Sequence, residues 1–185
     1  GLYIGINARA TAVNCTIADN PGHGVYLQAG SPAMVISNSI VWGNTADIVG
    51  NITPHYCCVQ DGTGEGLNGT IRTDPAFVDL VYYHTQSEYG HYSGEFFTGG
   101  TWTTSMSNSP AIDGCDPLIF PVDELPPNGA IVNMGAYGDT EVASLSHPID
   151  VTNLAPSGIG LDQATLWGEL LHVGSRDVHL WIYWG

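Results

Sequence analysis

The chain has 185 residues, enough for one domain or one and a half, and 43% of them are hydrophobic against 11% charged, a balance that argues against intrinsic disorder. Eighteen acids, three arginines (Arg9, Arg72, Arg176) and no lysine leave a net charge of −15, which repels phosphate backbones and excludes nucleic acid as a natural partner. No stretch of about 18 apolar residues is present, so no membrane insertion is expected.

The first element is a repeat. Gly1–Ile4 (GLYI) returns as Gly24–Leu27 (GVYL), and Asn14–Asn20 (NCTIADN) returns as Asn38–Asn44 (NSIVWGN). A period in the low twenties is too short for paired-helix repeats and suits a solenoid of short strands and tight corners. A third, shorter turn follows at Asp47–Gly62, in which Val59 aligns with Val41 and Ile17, and Cys57 with Ser39 and Cys15. The expected fold is all-β: a right-handed parallel β-helix of about three coils, with equivalent residues stacked about 4.8 Å apart. Asn14 and Asn38 are then expected to form an asparagine ladder at an inner corner. Gly1 opens in mid-repeat and no signal-peptide pattern precedes it, so the chain is expected to be part of a longer polypeptide.

Four cysteines, Cys15, Cys57, Cys58 and Cys115, show no zinc-binding spacing. Two rungs separate Cys15 from Cys57, too far for a disulfide, so the thiols are read as small buried side chains, with a bridge to Cys115 as the rival. Sequons stand at Asn14, Asn51 and Asn68. Asn51 and Asn68 fall on turns and are the candidate glycosylation sites, whereas Asn14 belongs to the ladder.

After Gly62 the period is lost. Residues 1–79 are read as the coils and 80–146 as an irregular segment that closes the solenoid. Asp74-Pro75 forces a corner, and Leu80–Asn108 is rich in glycine and aromatics. An open last coil exposes strand edges and an apolar cross-section, and these aromatics suit its covering. A second use of Tyr82, Tyr83, Tyr89, Tyr92 and Trp102 is a platform on which sugar rings stack. Four blocks then follow in order: DPAFVD (Asp74–Asp79), SEYGHY (Ser87–Tyr92), SPAIDGCDP (Ser109–Pro117) and PNGAIVNMGAYGDT (Pro127–Thr140). In series they resemble the C-terminal end of secreted bacterial parallel β-helix repeat proteins, pectate-lyase-like in fold. The resemblance covers residues 1 to about 145 and implies an extracellular or cell-surface location. It departs from the family pattern where an arginine usually precedes NMGAYG and Ile131 or a neighbour stands here, leaving Asp113 and Asp116 without that partner. A second departure is Gly114-Cys115-Asp116 in the SPxID block.

From residue 147 to 185 the composition changes. Two alternating runs, Ala164–Leu170 and Val178–Tyr183, flank a Gly-Ser-Arg-Asp turn. The segment is similar to the first strands of a fibronectin type III or immunoglobulin-like β-sandwich, which needs about 90–100 residues when whole. A partial sandwich would leave an apolar edge at Leu166, Leu170, Leu180 and Ile182, open to head-to-tail self-assembly.

Lyase chemistry on uronates needs a cation held by carboxylates and a strong base, and hydrolysis needs two facing carboxylates. The coils offer Asp19, Asp47 and Asp61 at different places in the turn and no lysine, so no catalytic residue is assigned. Calcium is the cation that oxygen donors of this kind would take. Asp61 and Glu65 in the loop Asp61-Gly-Thr-Gly-Glu65, and Asp113 with Asp116, are either its ligands or solvated turns. The expected function is a non-catalytic extracellular module, structural or adhesive, with polysaccharide or other surface proteins as partners. The alternative is a fragment of a polysaccharide lyase or hydrolase whose catalytic coils lie upstream of Gly1.

Overall fold

The computed structural model describes residues 1–148, 150–160 and 162–172. It is all-β, and the repeat supplies its frame. The first turn contributes β1 (Leu2–Ile4), β2 (Ala12–Val13) and β3 (Thr16–Ala18); the second β4 (His23–Leu27), β5 (Met34–Ser37) and β6 (Ile40–Trp42); the third β7 (Ala46–Val49), β8 (Ile52–His55) and β9 (Cys58–Val59). Each turn adds one strand to each of three parallel sheets, ordered β1-β4-β7, β2-β5-β8 and β3-β6-β9. The expected register holds residue for residue. Leu2, Tyr3 and Ile4 pair with Val25, Tyr26 and Leu27, while Ile17 pairs with Val41 and Val41 with Val59.

Ile4, Val25, Leu27, Met34, Ile36, Val41, Ile48, Ile52, Cys57 and Val59 form one buried cluster inside the coils. Complete burial of each large aliphatic contributes about 1.5–3 kcal/mol, and a slip by one residue would turn the whole set outward. The corners between the second and third sheets each use a single left-handed residue: Asn14 (φ 48°), Asn38 (φ 52°) and Tyr56 (φ 49°). Asparagine tolerates that conformation through local hydrogen bonding. Tyr56 holds it with its N–H donated to the Asn68 carbonyl at 2.7 Å.

The asparagine ladder is displaced from its expected place. The Asn14 and Asn38 side chains face the later part of the chain: Asn14 Nδ2 donates to the Gly138 carbonyl, and Asn38 Oδ1 accepts from the Asp116 N–H. The pair that bonds directly is Asn20 and Asn44, Nδ2 to Oδ1 at 2.7 Å. Asn44 in turn donates to Asp47 Oδ1 at 2.9 Å, and Asp47 Oδ2 accepts the Asp61 N–H. This corner turns polar groups toward one another, whereas the Asn14 corner is covered from outside.

The third turn is short because its first corner shrinks to Gly50 and Asn51. Gly50 has φ 109°, and a Cβ there would lie 2.4 Å from the Leu27 carbonyl oxygen. Glycine alone satisfies both constraints.

After the coils, Asp61–Ile71 folds over the third turn. Ile71 bridges Cys58 in parallel and donates its N–H to the Cys57 carbonyl, while Gly64 lies against Pro54 and Gly69 against Tyr56. Coil-on-coil docking at that end is thereby closed. At the first turn, Gly1, Leu2, Ala12, Thr16 and Ile17 line an open concavity of about 440 Å³.

The long irregular segment packs along the solenoid's flank. Ile40 and Cys58 point out of sheet β3-β6-β9 and are buried under Ala111, Cys115, Ile131, Val132 and Met134. The Gly135 N–H donates to the Asn38 carbonyl, the Ala136 N–H to Thr16 Oγ1, and Tyr83 Oη to Asp19 Oδ2. One parallel sheet is therefore covered on both faces, the normal condition for such sheets.

The blocks that carried the resemblance interlock there. Ser109 Oγ donates to the Pro75 carbonyl at 2.6 Å, and Ser87 Oγ to the Leu145 carbonyl. Asn133 Oδ1 accepts the Asp113 N–H while its Nδ2 donates to the Ser144 carbonyl. The four cysteines are free thiols, and the proposed bridge to Cys115 is absent. Cys115 donates instead to the Asn133 carbonyl, and burial pushes the Cys57 thiol up to about 11.

Two antiparallel hairpins complete the described chain. β10 (His91–Ser93) pairs with β11 (Thr101–Thr103), and β12 (Asp150–Ser157) with β13 (Thr165–His172). Leu166 is exposed and Leu170 half-buried; Leu180 and Ile182 of the expected assembly edge lie outside the described residues. Among the described residues there is no helix long and apolar enough to cross a membrane.

Gly50→Ala is expected to cost about 2–4 kcal/mol, combining the left-handed backbone penalty with displacement of the Leu27 peptide. Ile40→Ala is expected to cost about 2–5 kcal/mol, although Ile40 lies on the outer face of its sheet. Urea unfolding of the purified chain measures both, and a loss under about 1 kcal/mol for Ile40→Ala would contradict the flank packing.

Candidate functional site

The structure gathers the aromatics of the irregular segment into a layered cluster. The sequence Ser93-Gly-Glu-Phe-Phe-Thr-Gly-Gly100 joins β10 to β11, with left-handed glycines at Gly94 (φ 89°) and Gly99 (φ 91°). These allow a sharp turn that lifts Phe96 and Phe97 into solvent, at 52% and 53% exposure. Trp102, on β11, is 41% exposed and sits opposite Tyr92 on β10, the two rings edge to face at 6.0 Å. Such edge-on pairs add about 0.5–1.5 kcal/mol beyond burial.

Beneath this face lies a buried layer. The His84 ring stacks on Tyr137 with centroids 3.7 Å apart and meets Tyr92 edge-on at 5.3 Å. Phe97 leans on Tyr137 at 5.4 Å, and Phe96 meets Tyr82 at 4.9 Å. Tyr137 Oη donates to the Tyr82 carbonyl. Two hydrogen bonds tie the Phe96–Phe97 turn to this layer: His84 Nε2 to the Glu95 carbonyl at 2.8 Å, and the Gly100 N–H to Tyr92 Oη at 2.6 Å. Burial pushes the Tyr137 phenol up to about 12 and holds the His84 and His91 pKa values below the ordinary histidine value.

The four tyrosines and one tryptophan expected to form a sugar platform are divided by the fold. Trp102 lies on the exposed face and Tyr82 at its margin. Tyr92, at 6% exposure, is a support beneath the face. Tyr83 packs edge-on against Phe77 and binds Asp19, and Tyr89 packs against His147 at 4.5 Å; neither has a ring contact with this cluster. Phe96 and Phe97 belong to the aromatic run Leu80–Asn108 whose expected use is to cover the last coil. Their signal was two adjacent aromatics bracketed by glycines, a pattern that puts side chains on a turn tip.

The expected cation ligands are occupied by backbone and side-chain donors. Asp61 accepts the Ile48 and Thr63 N–H groups; burial raises its pKa, but these bonds outweigh that and leave it lowered. Glu65 pairs with Arg72 at 4.0 Å, both half exposed, which contributes little. Asp113 accepts from Ser146 Oγ at 2.6 Å, and Asp116 Oδ1 from the Leu118 N–H. Ser146 thus supplies Asp113 with a hydrogen-bond donor. Among the described residues no group of three or more His, Cys, Asp or Glu is placed to hold a metal ion. Asn51 and Asn68 are both exposed, Asn68 in a left-handed conformation.

One buried carboxyl escaped the sequence reading. Glu124 is 6% exposed, and its Oε1 accepts the Asn133 and Asp139 N–H groups at 2.8 and 2.9 Å while Oε2 has no partner. Burial, with Asp113 and Asp139 nearby, pushes its pKa up to about 7. It fastens the loop before Asn128 to the NMGAYG block and is closed to solvent.

No family model matches this chain, and neither does any curated protein or solved structure.

The raised Glu124 pKa has a readable consequence. The folded state binds its proton more tightly than the unfolded chain, so the contribution is complete below about pH 4.5 and disappears as pH rises toward about 7. Against Glu124→Gln, the native chain is expected to lose about 3 kcal/mol across that interval, measured as the difference between two pH series of urea unfolding. Parallel series would place the Glu124 pKa near its ordinary value.

Proposed function

We propose that this chain is a non-catalytic extracellular β-helix module that binds neutral carbohydrate through the Phe96–Phe97–Trp102 face. The observation that carries the reading is three exposed rings each packed against a tyrosine, Phe96 on Tyr82, Phe97 on Tyr137 and Trp102 on Tyr92. Apolar C–H faces of sugar rings stack on such surfaces, and a fixed bed lowers the ordering cost of binding. The net charge of −15 opposes polyanionic glycans, which favours an uncharged chain as ligand. The pectate-lyase-like resemblance of the four C-terminal blocks supports a secreted, surface-exposed setting. In this reading the parallel coils are a rigid stalk, and adhesion is the work of the aromatic tip.

The test is affinity electrophoresis of the purified chain through xylan, mannan, β-glucan, pectin and alginate. Retardation by at least one neutral polysaccharide is expected, together with a loss of about tenfold in affinity for either Phe97→Ala or Trp102→Ala, about 1.4 kcal/mol. Circular dichroism of the variants checks that the fold is retained. Binding to none of the neutral glycans, or binding unchanged in both variants, would remove the proposal. Release of unsaturated uronate from pectin or alginate would favour a lyase instead.

A further inference from the structure

His84 occupies an unusual position for a titratable ring. It is fully buried, its Nε2 hydrogen is donated to the Glu95 carbonyl, and its Nδ1 has no hydrogen-bonding partner. Because Nε2 must carry the hydrogen to bond a carbonyl, the neutral ring leaves a bare lone pair at Nδ1. A second proton would sit at Nδ1, which has no hydrogen-bonding partner, and a buried N–H left in that state is destabilising. The turn that His84 fastens, Glu95–Gly100, also meets the ring at the Phe96 backbone and donates the Gly100 N–H to Tyr92 Oη.

The titratable groups around His84 are Asp79, His91, Tyr92 and Tyr137, with Glu95 contributing its backbone carbonyl. Asp79 favours the charged ring, but its Oδ1 already accepts the Val81 and Tyr82 N–H groups. His91 is itself buried, with Nδ1 near Ser87 and Ser105, and opposes a second charge. Burial depresses the His84 pKa against the pull of Asp79 and the two nearby carbonyls. Since the folded state disfavours the proton, its stabilisation is present at neutral pH and is lost as pH falls through and below the ordinary histidine range.

We propose that His84 is a pH-sensitive latch for the Phe96–Phe97 turn: the neutral ring fastens Glu95 to the buried aromatic layer, and a proton at Nδ1 places an unpartnered charge in that layer, so that the charged ring moves out to water, releases the turn and disperses the exposed face. The consequence for ligand rests on the carbohydrate-binding reading; the order of the turn does not. A module with this latch would hold its ligand at neutral pH and let go in an acidified compartment.

The experiment uses the whole chain without ligand. Nuclear magnetic resonance follows the His84 ring, together with exchange protection of the Gly100 amide, referenced to the coil amide of Cys58, which donates to the Ser39 carbonyl. Between about pH 7.5 and about pH 5, Gly100 protection is expected to fall at least about tenfold relative to Cys58, with the midpoint of the His84 titration. Constant Gly100 protection, or a midpoint that follows His91 instead, would overturn the latch. His84→Phe keeps a ring on Tyr137 but cannot titrate, so its Gly100 protection should be independent of pH. The same acid loss in that variant would also overturn it, and if the variant does not fold, the native titration decides alone. Failure of every glycan to bind would sink the carbohydrate reading while leaving the exchange result intact.

Discussion

The structure depends on the double burial of sheet β3-β6-β9. Its inner residues, Ile17, Val41 and Val59, stack in register inside the coils, and its outer residues Ile40 and Cys58 meet Ala111, Cys115, Ile131, Val132 and Met134. A three-turn solenoid has a narrow interior and buries only one face of each sheet. The second layer adds the outer apolar face of one of those sheets to the area removed from water, at about 25 cal/mol per Å². It also joins residues far apart in sequence, as in the Asn14 Nδ2 bond to the Gly138 carbonyl. Coils and flanking segment therefore stabilise each other across a long loop, whose closure entropy grows only slowly with length.

The flanking layer is also what positions the aromatic cluster. Tyr137 belongs to the block that lies on the coils, and it supplies both the ring under His84 and the hydroxyl that binds the Tyr82 carbonyl. The β10–β11 hairpin is too small to be stable alone. Its Tyr92 ring is held against His84, the Ser87 hydroxyl is bonded to the Leu145 carbonyl, and the Leu145 N–H donates to the Gly90 carbonyl. The exposed rings of Phe96, Phe97 and Trp102 thus rest on packing that runs back to the solenoid. Two buried ionisable groups, His84 and Glu124, lie in this layer with opposite pH slopes.

Much of this was legible in the chain itself. The GLYI/GVYL and NCTIADN/NSIVWGN echoes predict the parallel register because strand pairing has a side-chain period of two and a buried face tolerates no slip. Asp74-Pro75 predicts its corner, and there Asp74 accepts the Ala76 N–H with Ala76 at φ 49°. The asparagines at turn ends were recognised as corner residues. Which of them bond each other was not legible, since Asn14 and Asn20 differ only in what later covers them. The aromatic run was legible as a surface layer, but its partition into exposed Phe96, Phe97 and Trp102 over buried Tyr92 was not. That division depends on a turn conformation set by glycines and on Tyr137, some 40 residues away.

The sequence by itself determined the all-β class, the coil register and the residues that face the interior, because these follow from a local period and from hydrophobic patterning. Only the tertiary structure decided that the irregular segment lies along the flank, that Glu124 and His84 are buried with their pKa values moved from the ordinary ones, and that Phe96, Phe97 and Trp102 stay exposed while Tyr92 is buried. Those properties arise from which distant segment desolvates which group. Desolvation is a sum over neighbours in space, and no local pattern of residues encodes it.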